Sequence, residues 1–459
     1  MLKKREKYIP LNPMFDGRAL KKLIIPLVIE QFLAIMVGMF DTIMVSSAGE
    51  AAVSGVSLVD SINILLINIF AAFATGGAVV VSQHIGARRY DKANESAEQL
   101  LFTVLSCAVL IMTFILVFRQ PVIDIVFGKI EKDVMDNAMV YIIYSAISYP
   151  FLALYNACAA LYRSQGNSKV SMYTSLLMNV VNITGNAILI YGFGMGVAGA
   201  AIATLVSRIL GAVIMLFLTS NGKNGIHVNF CKRFVPDFGI IKSIMKIGIP
   251  NGLENSFFQL GKIIILSLVT MFGTAQIAAN AVANSISAMV VIPGNAIGLA
   301  MITVVGQCVG AKDDKQALYY VKKLMGYVYI ILTAMSVTIM LVLPFLLQLY
   351  SLSEEATHYA YTITYMYCIT TIIFWPPSFT LPNALRAAND VKYTMWVAIS
   401  SMVVFRVAFS YVLGLWLNMG VVGVWIAMFI DWICRDVFFI SRIAGGGWKK
   451  RMGLSENKQ

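Results

Sequence analysis

Charge is what this sequence has least of: Asp, Glu, Lys and Arg make up 13% of its 459 residues, while hydrophobic residues make up 59%. Soluble domains carry about 25% charged residues because their surfaces face water, so a soluble fold is excluded and a chain that crosses a membrane repeatedly is implied. Histidine is scarcer still. His84, His227 and His358 are scattered along the chain, which assembles no zinc or acid–base constellation, and no glycine-rich loop runs into a Lys-Ser/Thr pair to cradle the phosphates of ATP. Of the six cysteines, Cys107, Cys158, Cys308, Cys368 and Cys434 fall inside apolar runs and Cys231 in a polar stretch. That is the distribution of small packing residues, not of a disulfide framework or a metal site. No enzymatic activity and no cofactor are expected. The N-terminus shows no short apolar core followed by a small-residue cleavage site, so the first apolar run is expected to stay in place.

What the sequence has in quantity is long apolar runs. Twelve are long enough to cross about 30 Å of hydrocarbon as helices, near residues 20–46, 53–84, 98–118, 138–162, 171–191, 197–219, 243–271, 276–309, 319–349, 358–384, 393–415 and 421–444. The formal charge of +12 would suggest nucleic acid if its sources formed one patch. Instead they recur at every second connection, as with Arg88 and Arg89 after the second run, Arg163 and Lys169 after the fourth, Lys312 and Lys315 after the eighth, and Arg386 and Lys392 after the tenth. Such alternation predicts a multi-pass protein of the cytoplasmic membrane with both termini in the cytoplasm and no nucleic-acid partner.

The chain also repeats itself. At an offset of 224, Gly49 to Ile62 aligns with Gly273 to Ile286 without a gap, Pro26 falls on Pro250, Glu30 on Glu254 and Gln83 on Gln307. With one residue of slip, Arg163 falls on Arg386 and Lys169 on Lys392. Two six-helix halves in the same orientation give the expected fold class: an all-α integral membrane protein of twelve transmembrane helices in two pseudo-two-fold-related six-helix lobes. The expected divisions are an N-terminal lobe over 1–220, a cytoplasmic linker over 221–238 and a C-terminal lobe over 239–459. Ancient duplication kept for packing accounts for the repeat but not for the acids buried in it. Carboxylates at membrane depth cost at least about 2.5 kcal/mol and mark transport pathways by default.

Three stretches carry a resemblance to a known family: Asp41-Thr-Ile-Met-Val followed by Gly49, the turn Arg163-x-x-Gly-Asn-Ser, and Gly194-Met-Gly-Val-Ala-Gly-Ala-Ala-Ile-Ala-Thr204. The sequence resembles the multidrug and toxic compound extrusion (MATE) transporters over both halves, essentially residues 15–446. The resemblance implies an exporter of drug-like, often cationic molecules, in which two six-helix lobes enclose a central cavity and entry of Na⁺ or H⁺ drives outward release. One branch of the family holds its coupling ion in the C-terminal lobe, with a glutamate where this chain has Phe258 and an acid in the tenth span, where this chain has none. The other branch, whose site lies in the N-terminal lobe and which includes the DNA-damage-inducible-protein-like members, uses an aspartate and an asparagine matched here by Asp41 and Asn182. Its second aspartate is replaced by Asn186.

The polar residues inside the spans then divide into groups. Asp41, Asp60, Asn182 and Asn186 are the candidate coupling residues; a carboxylate flanked by amide oxygens suits Na⁺, and a desolvated one suits a proton. Asn179, Asn182 and Asn186 share one helical face, where they can equally act as interhelical glue. Glu30, Gln31, Asn179, Glu254 and Lys262 are candidate substrate-cavity residues, although each glutamate can instead cap or pair locally, and Lys262 would repel a simple cation unless an acid neutralised it. Pro26, fifteen residues below Asp41, removes one helical hydrogen bond and is the candidate hinge. Arg406 and Asp431 fall at similar depth and are expected to form a structural ion pair. The expected partners are small organic substrates and the lipid bilayer, with the chain as a monomer. A lipid-linked oligosaccharide flippase of the same superfamily is the alternative that Lys262 and Arg406 sustain, and a non-transporting receptor or channel is a more distant one.

Overall fold

A computed structural model of the protein describes residues 8, 10–128, 130–221, 225–228, 235–350 and 352–449. Cys231 and half of the expected linker lie outside these residues. Among the described residues the chain is all helical, with no strand, and forms twelve helical spans. They are α1 (Gly17–Ser46), α2 (Glu50–Gly86), α3 (Tyr90–Phe127), α4 (Lys132–Ser164), α5 (Lys169–Gly192) and α6 (Gly196–Ser220). The second half supplies α7 (Phe238–Phe272), α8 (274–310, interrupted at Val291), α9 (Asp314–Gln348), α10 (354–387), α11 (Val391–Trp416) and α12 (Gly420–Ala444). All twelve apolar runs of the sequence are found as helices. Ten helical stretches are apolar and long enough to cross a membrane by composition alone. Helix α12 falls short of that standard because Asp431, Arg435 and Asp436 sit in its middle, where they are buried.

The internal repeat is written in the backbone as well as in the residues. Gly49 and Gly273 precede α2 and α8 with φ of 102° and 93°, conformations that only glycine adopts readily. Left-handed residues also recur at Arg88 (57°) and Lys312 (58°), at Gly166 (78°) and Asn389 (64°), and at Gly194 (66°) and Asn418 (52°). Both α5 and α11 end in a widened π-helical turn, over Ala187–Gly192 and Tyr411–Trp416, positions that differ by the same offset of 224. There Phe193 N–H reaches the Ile188 carbonyl at 3.0 Å, and Leu417 N–H reaches that of Val412 at 3.0 Å. The next helix of each half presses a glycine against the widened turn. A methyl group on Gly199 would stand 3.0 Å from Leu189 Cβ, and one on Gly423 would stand 2.7 Å from the Leu413 backbone.

The contacts group the chain into two compact units, Lys21–Gly252 and Met1–Leu20 with Leu253–Gln459. These boundaries differ from the expected 1–220, 221–238 and 239–459: the divisions fall inside α1 and α7. The cause at the N-terminus is specific. Phe15 N–H donates to the Tyr320 hydroxyl at 2.8 Å, that hydroxyl donates to the Phe15 carbonyl at 2.9 Å, and Met14 N–H donates to Gln316 Oε1 at 3.1 Å. These bonds tie the segment before α1 to α9.

Candidate functional site

In the unit Lys21–Gly252, α1, α5 and α6 bring the expected coupling residues together. Asn186 donates its amide to Asp41 Oδ1 at 2.5 Å and, more weakly, to Asn182 Oδ1 at 3.4 Å, while Asn182 donates to Thr204 Oγ1 at 3.1 Å. Both asparagines are buried, and Asn186 Oδ1 is buried with no hydrogen-bond partner. A buried orphan acceptor costs about 1–3 kcal/mol, so the site is one acceptor richer than its own donors can satisfy. No cluster of three His, Cys, Asp or Glu exists among the described residues. The oxygens available to a cation are therefore those of Asp41, Asn182, Asn186 and Thr204, a hard donor set that fits Na⁺ as well as a proton on Asp41.

Asp60 stands in an adjoining polar cluster. Asn63 donates to Asp60 Oδ1 at 3.0 Å and to Ser145 Oγ at 3.4 Å, and its own oxygen accepts from the Tyr149 hydroxyl at 2.7 Å. The Tyr141 hydroxyl also reaches Asp60. Arg208, which sequence reasoning passed over, donates to Ser148 Oγ at 2.6 Å and lies close enough to both aspartates to act on their charge. A lone arginine twelve residues into an apolar run was the available signal. Asn179 has a different task from its two neighbours on the helix face: it donates to the Leu33 carbonyl at 3.1 Å, joining α5 to α1. Pro26 is buried within α1, which continues as a helix on both sides of it.

Glu30 and Glu254 are both engaged by arginine. Glu30 Oε1 pairs with Arg163 at 3.3 Å and its Oε2 accepts from Ser171 Oγ at 2.6 Å. Glu254 Oε1 pairs with Arg386 at 2.7 Å. The partners are themselves the repeat-related Arg163 and Arg386, so both halves build the same buried pair between their first and fourth helices. Each glutamate is at least nine-tenths buried, with its charge already balanced locally. Gln31, the next residue, is half-buried.

In the other unit the charge is reversed. Asp431 is fully buried; it accepts from Arg435 Nε at 2.9 Å and from Ser401 Oγ, while Arg406 approaches its second oxygen at 3.8 Å. The expected Arg406–Asp431 pair is thus the looser half of a triad. Arg435, one helical turn beyond Asp431, was legible from its spacing of four. Three cations surround the Phe258 ring, with Lys262 Nζ at 5.7 Å, Arg406 at 5.2 Å and Arg435 at 5.7 Å from its centroid. Lys262 makes no ion pair among the described residues.

Comparison with known proteins agrees with this architecture. The MatE family model matches residues 26–188 and again 250–412, two matches in register with the internal repeat. An uncharacterized transporter of Bacillus subtilis, YisQ, is 26% identical with 94% of each chain covered. The protein named probable multidrug resistance protein NorM of Thermotoga maritima is 24% identical, covering 99% of this chain and 98% of its own. Among solved structures, a MATE protein in its bent conformation superposes with a TM-score of 0.87 at 21% identity, covering 95% of this chain and 97% of that one. A MOP superfamily transporter from Pyrococcus furiosus, described as having a binding pocket of reverse polarity, superposes equally well at 0.87 and 21% identity over 95% of this chain and 97% of its own. The match of the family model to both six-helix halves establishes that this chain belongs to the MatE family of multi-pass membrane transporters, proteins that carry small molecules and are not enzymes.

Proposed function

We propose that this protein is a cation-coupled antiporter that exports drug-like organic molecules by alternating access, with Asp41 as the group that exchanges H⁺ or Na⁺. The observation that carries this reading is the hydrogen-bonded chain Asp41–Asn186–Asn182–Thr204, within which Asn186 Oδ1 is a buried acceptor with no hydrogen-bond partner. When Asp41 is ionised it holds the Asn186 amide and thereby fixes α1 against α5. A proton or a Na⁺ ion on the carboxylate weakens that bond, and α1, which lacks one backbone hydrogen bond at Pro26, can then adopt a second packing. The similarity to multidrug-resistance relatives supports export as the direction. The Lys/Arg alternation supports insertion in the cytoplasmic membrane with both termini inside.

Reconstituted protein loaded with a fluorescent drug-like dye and given an imposed Na⁺ or pH gradient tests the reading. Asp41→Asn is expected to abolish gradient-driven export while leaving dye binding measurable. Export at the parent rate, still responsive to the gradient, removes Asp41 from the mechanism. A second reading, a flippase for lipid-linked oligosaccharide, draws on the basic residues Lys262 and Arg406. Counterflow of labelled lipid-linked sugar in the same vesicles, with no counterflow of dye, would favour it.

A further inference from the structure

The N-terminal ion site has a counterpart of opposite charge. At the repeat offset of 224, Asp41, Asn182 and Thr204 of that site and Asp60 of the adjoining cluster fall on Ile265, Arg406, Met428 and Asn284, while Asn186 falls on Ser410. The first four line a single pocket of about 340 Å³ within the unit Leu253–Gln459, and Ser410 lies outside it. Both acids are gone, and an amide has become a guanidinium. Lys262 joins the lining from α7, with Asn280 from α8 and Trp425 from α12.

We infer that this pocket binds the anionic oxygen group, a carboxylate or a phosphate, of a molecule with an apolar body. The donors are arranged for it. The Trp425 indole N–H occupies Asn280 Oδ1 at 3.0 Å, so that amide is turned with its N–H₂ free to donate. Asn284 anchors to the Asn280 carbonyl at 2.8 Å. Among the described residues Arg406 shares its only carboxylate, at 3.8 Å, with the closer Arg435, and its Nε is buried without an acceptor. Lys262 has no acid at all among the described residues. Two cations against part of one carboxylate leave the pocket net positive, and a charge in so apolar a setting is stabilised by an opposite one supplied from outside. Ile265, Leu266, Ile277, Trp425 and Met428 form walls suited to an aromatic or acyl body. Lys262, Arg406 and Asn284 each lie about ten residues, roughly 15 Å, from the end of their helix, so the group would be held at one depth.

The inference names the substrate class for the export reading, but binding can be read without any gradient, so failure of transport and failure of the site are separable. The full-length protein is placed in nanodiscs of phosphatidylcholine and titrated by calorimetry with 2-naphthoate, with its neutral amide and with 2-naphthylmethylamine. Naphthoate is expected to bind about tenfold or more tighter than the amide, a charge-assisted contact being worth about 1.5–3 kcal/mol, and the amine more weakly still. Lys262→Gln, which breaks no ion pair among the described residues, should erase the preference without lowering the melting temperature. Lys262→Glu should turn it towards the amine. Adding phosphatidylglycerol distinguishes the sources: competition with naphthoate identifies a lipid headgroup as occupant, and lack of competition identifies a free organic anion. Equal binding of the three probes, no detectable naphthoate binding, or parent affinity in Lys262→Gln overturns the site.

Discussion

Replacing Asp431 by Asn would leave Arg435, Arg406 and Lys262 around the Phe258 ring with no carboxylate among them. At the observed 2.9 Å and 3.8 Å, and with an effective dielectric of about 20, the gross attractions are about 6 and about 4 kcal/mol. Desolvation of three buried ions offsets most of this, so the triad adds little net stability while intact. Breaking it is a different matter. Removing one partner from a buried pair costs about 3–5 kcal/mol because a lone charge stays behind; here Arg406 loses its carboxylate and Arg435 keeps only the more distant charge of Asp436. Asp431→Asn should therefore lie at or above the upper end of that range. At about 2–4 °C per kcal/mol for a unit of 150–250 residues, its melting temperature in detergent should fall by roughly 10 °C or more. Arg406→Met, which removes the looser partner and leaves Asp431 bonded to Arg435, should fall by less. In Asp431→Asn combined with Arg435→Met, part of the loss should return because one stranded cation has been removed. The reasoning fails if Asp431→Asn melts with the parent, or if the double variant falls by the sum of the two single losses.

Three further outcomes are expected. Glu30→Gln and Glu254→Gln should lower the melting temperature by similar amounts, each taking the carboxylate from a largely buried arginine at a cost of up to about 3–5 kcal/mol, with substrate affinity at most secondarily affected; loss of affinity at unchanged stability would return these acids to the substrate pathway. Gly423→Ala should destabilise by about 1–3 kcal/mol because its methyl meets backbone that cannot rotate away, and Gly199→Ala by less; parity of the two in thermal melts would contradict the closer approach at Gly423. In a background cleared of native cysteines, a cysteine at Arg88 should react with an impermeant maleimide only in inside-out vesicles, and one at Glu131 only in intact cells. The opposite pattern would invert the proposed orientation.

The spans were legible because an apolar run of twenty residues has few alternatives to a membrane helix. The halves were legible because Pro26, Glu30 and Arg163 recur at Pro250, Glu254 and Arg386. Partnership was not. The repeat listed Glu30 and Arg163 as separately duplicated residues, and only the packing of α1 on α4 reveals that they were duplicated as a pair. Similarly, Asp41 and Asn186 could be nominated from the resemblance, but the second cluster around Asp60 draws on Asn63, Tyr141, Tyr149 and Arg208 from three helices with no common spacing. The unit boundaries were hidden for the same reason. The bonds from Phe15 to Tyr320 join residues some three hundred positions apart.

The widened turns at the ends of α5 and α11 bear on the history of the chain. Of the six residues in Ala187–Gly192 and Tyr411–Trp416, only Leu189 and Leu413 are the same at equivalent positions. Those leucines are the ones against which Gly199 and Gly423 press. A π-turn holds one residue more than the α-turn it replaces, and independent insertion at the same place in both halves, each beside a matching glycine, would be a double coincidence. The turn is therefore older than the duplication: the ancestral six-helix unit already carried it, and its leucine has outlasted every other side chain of the turn.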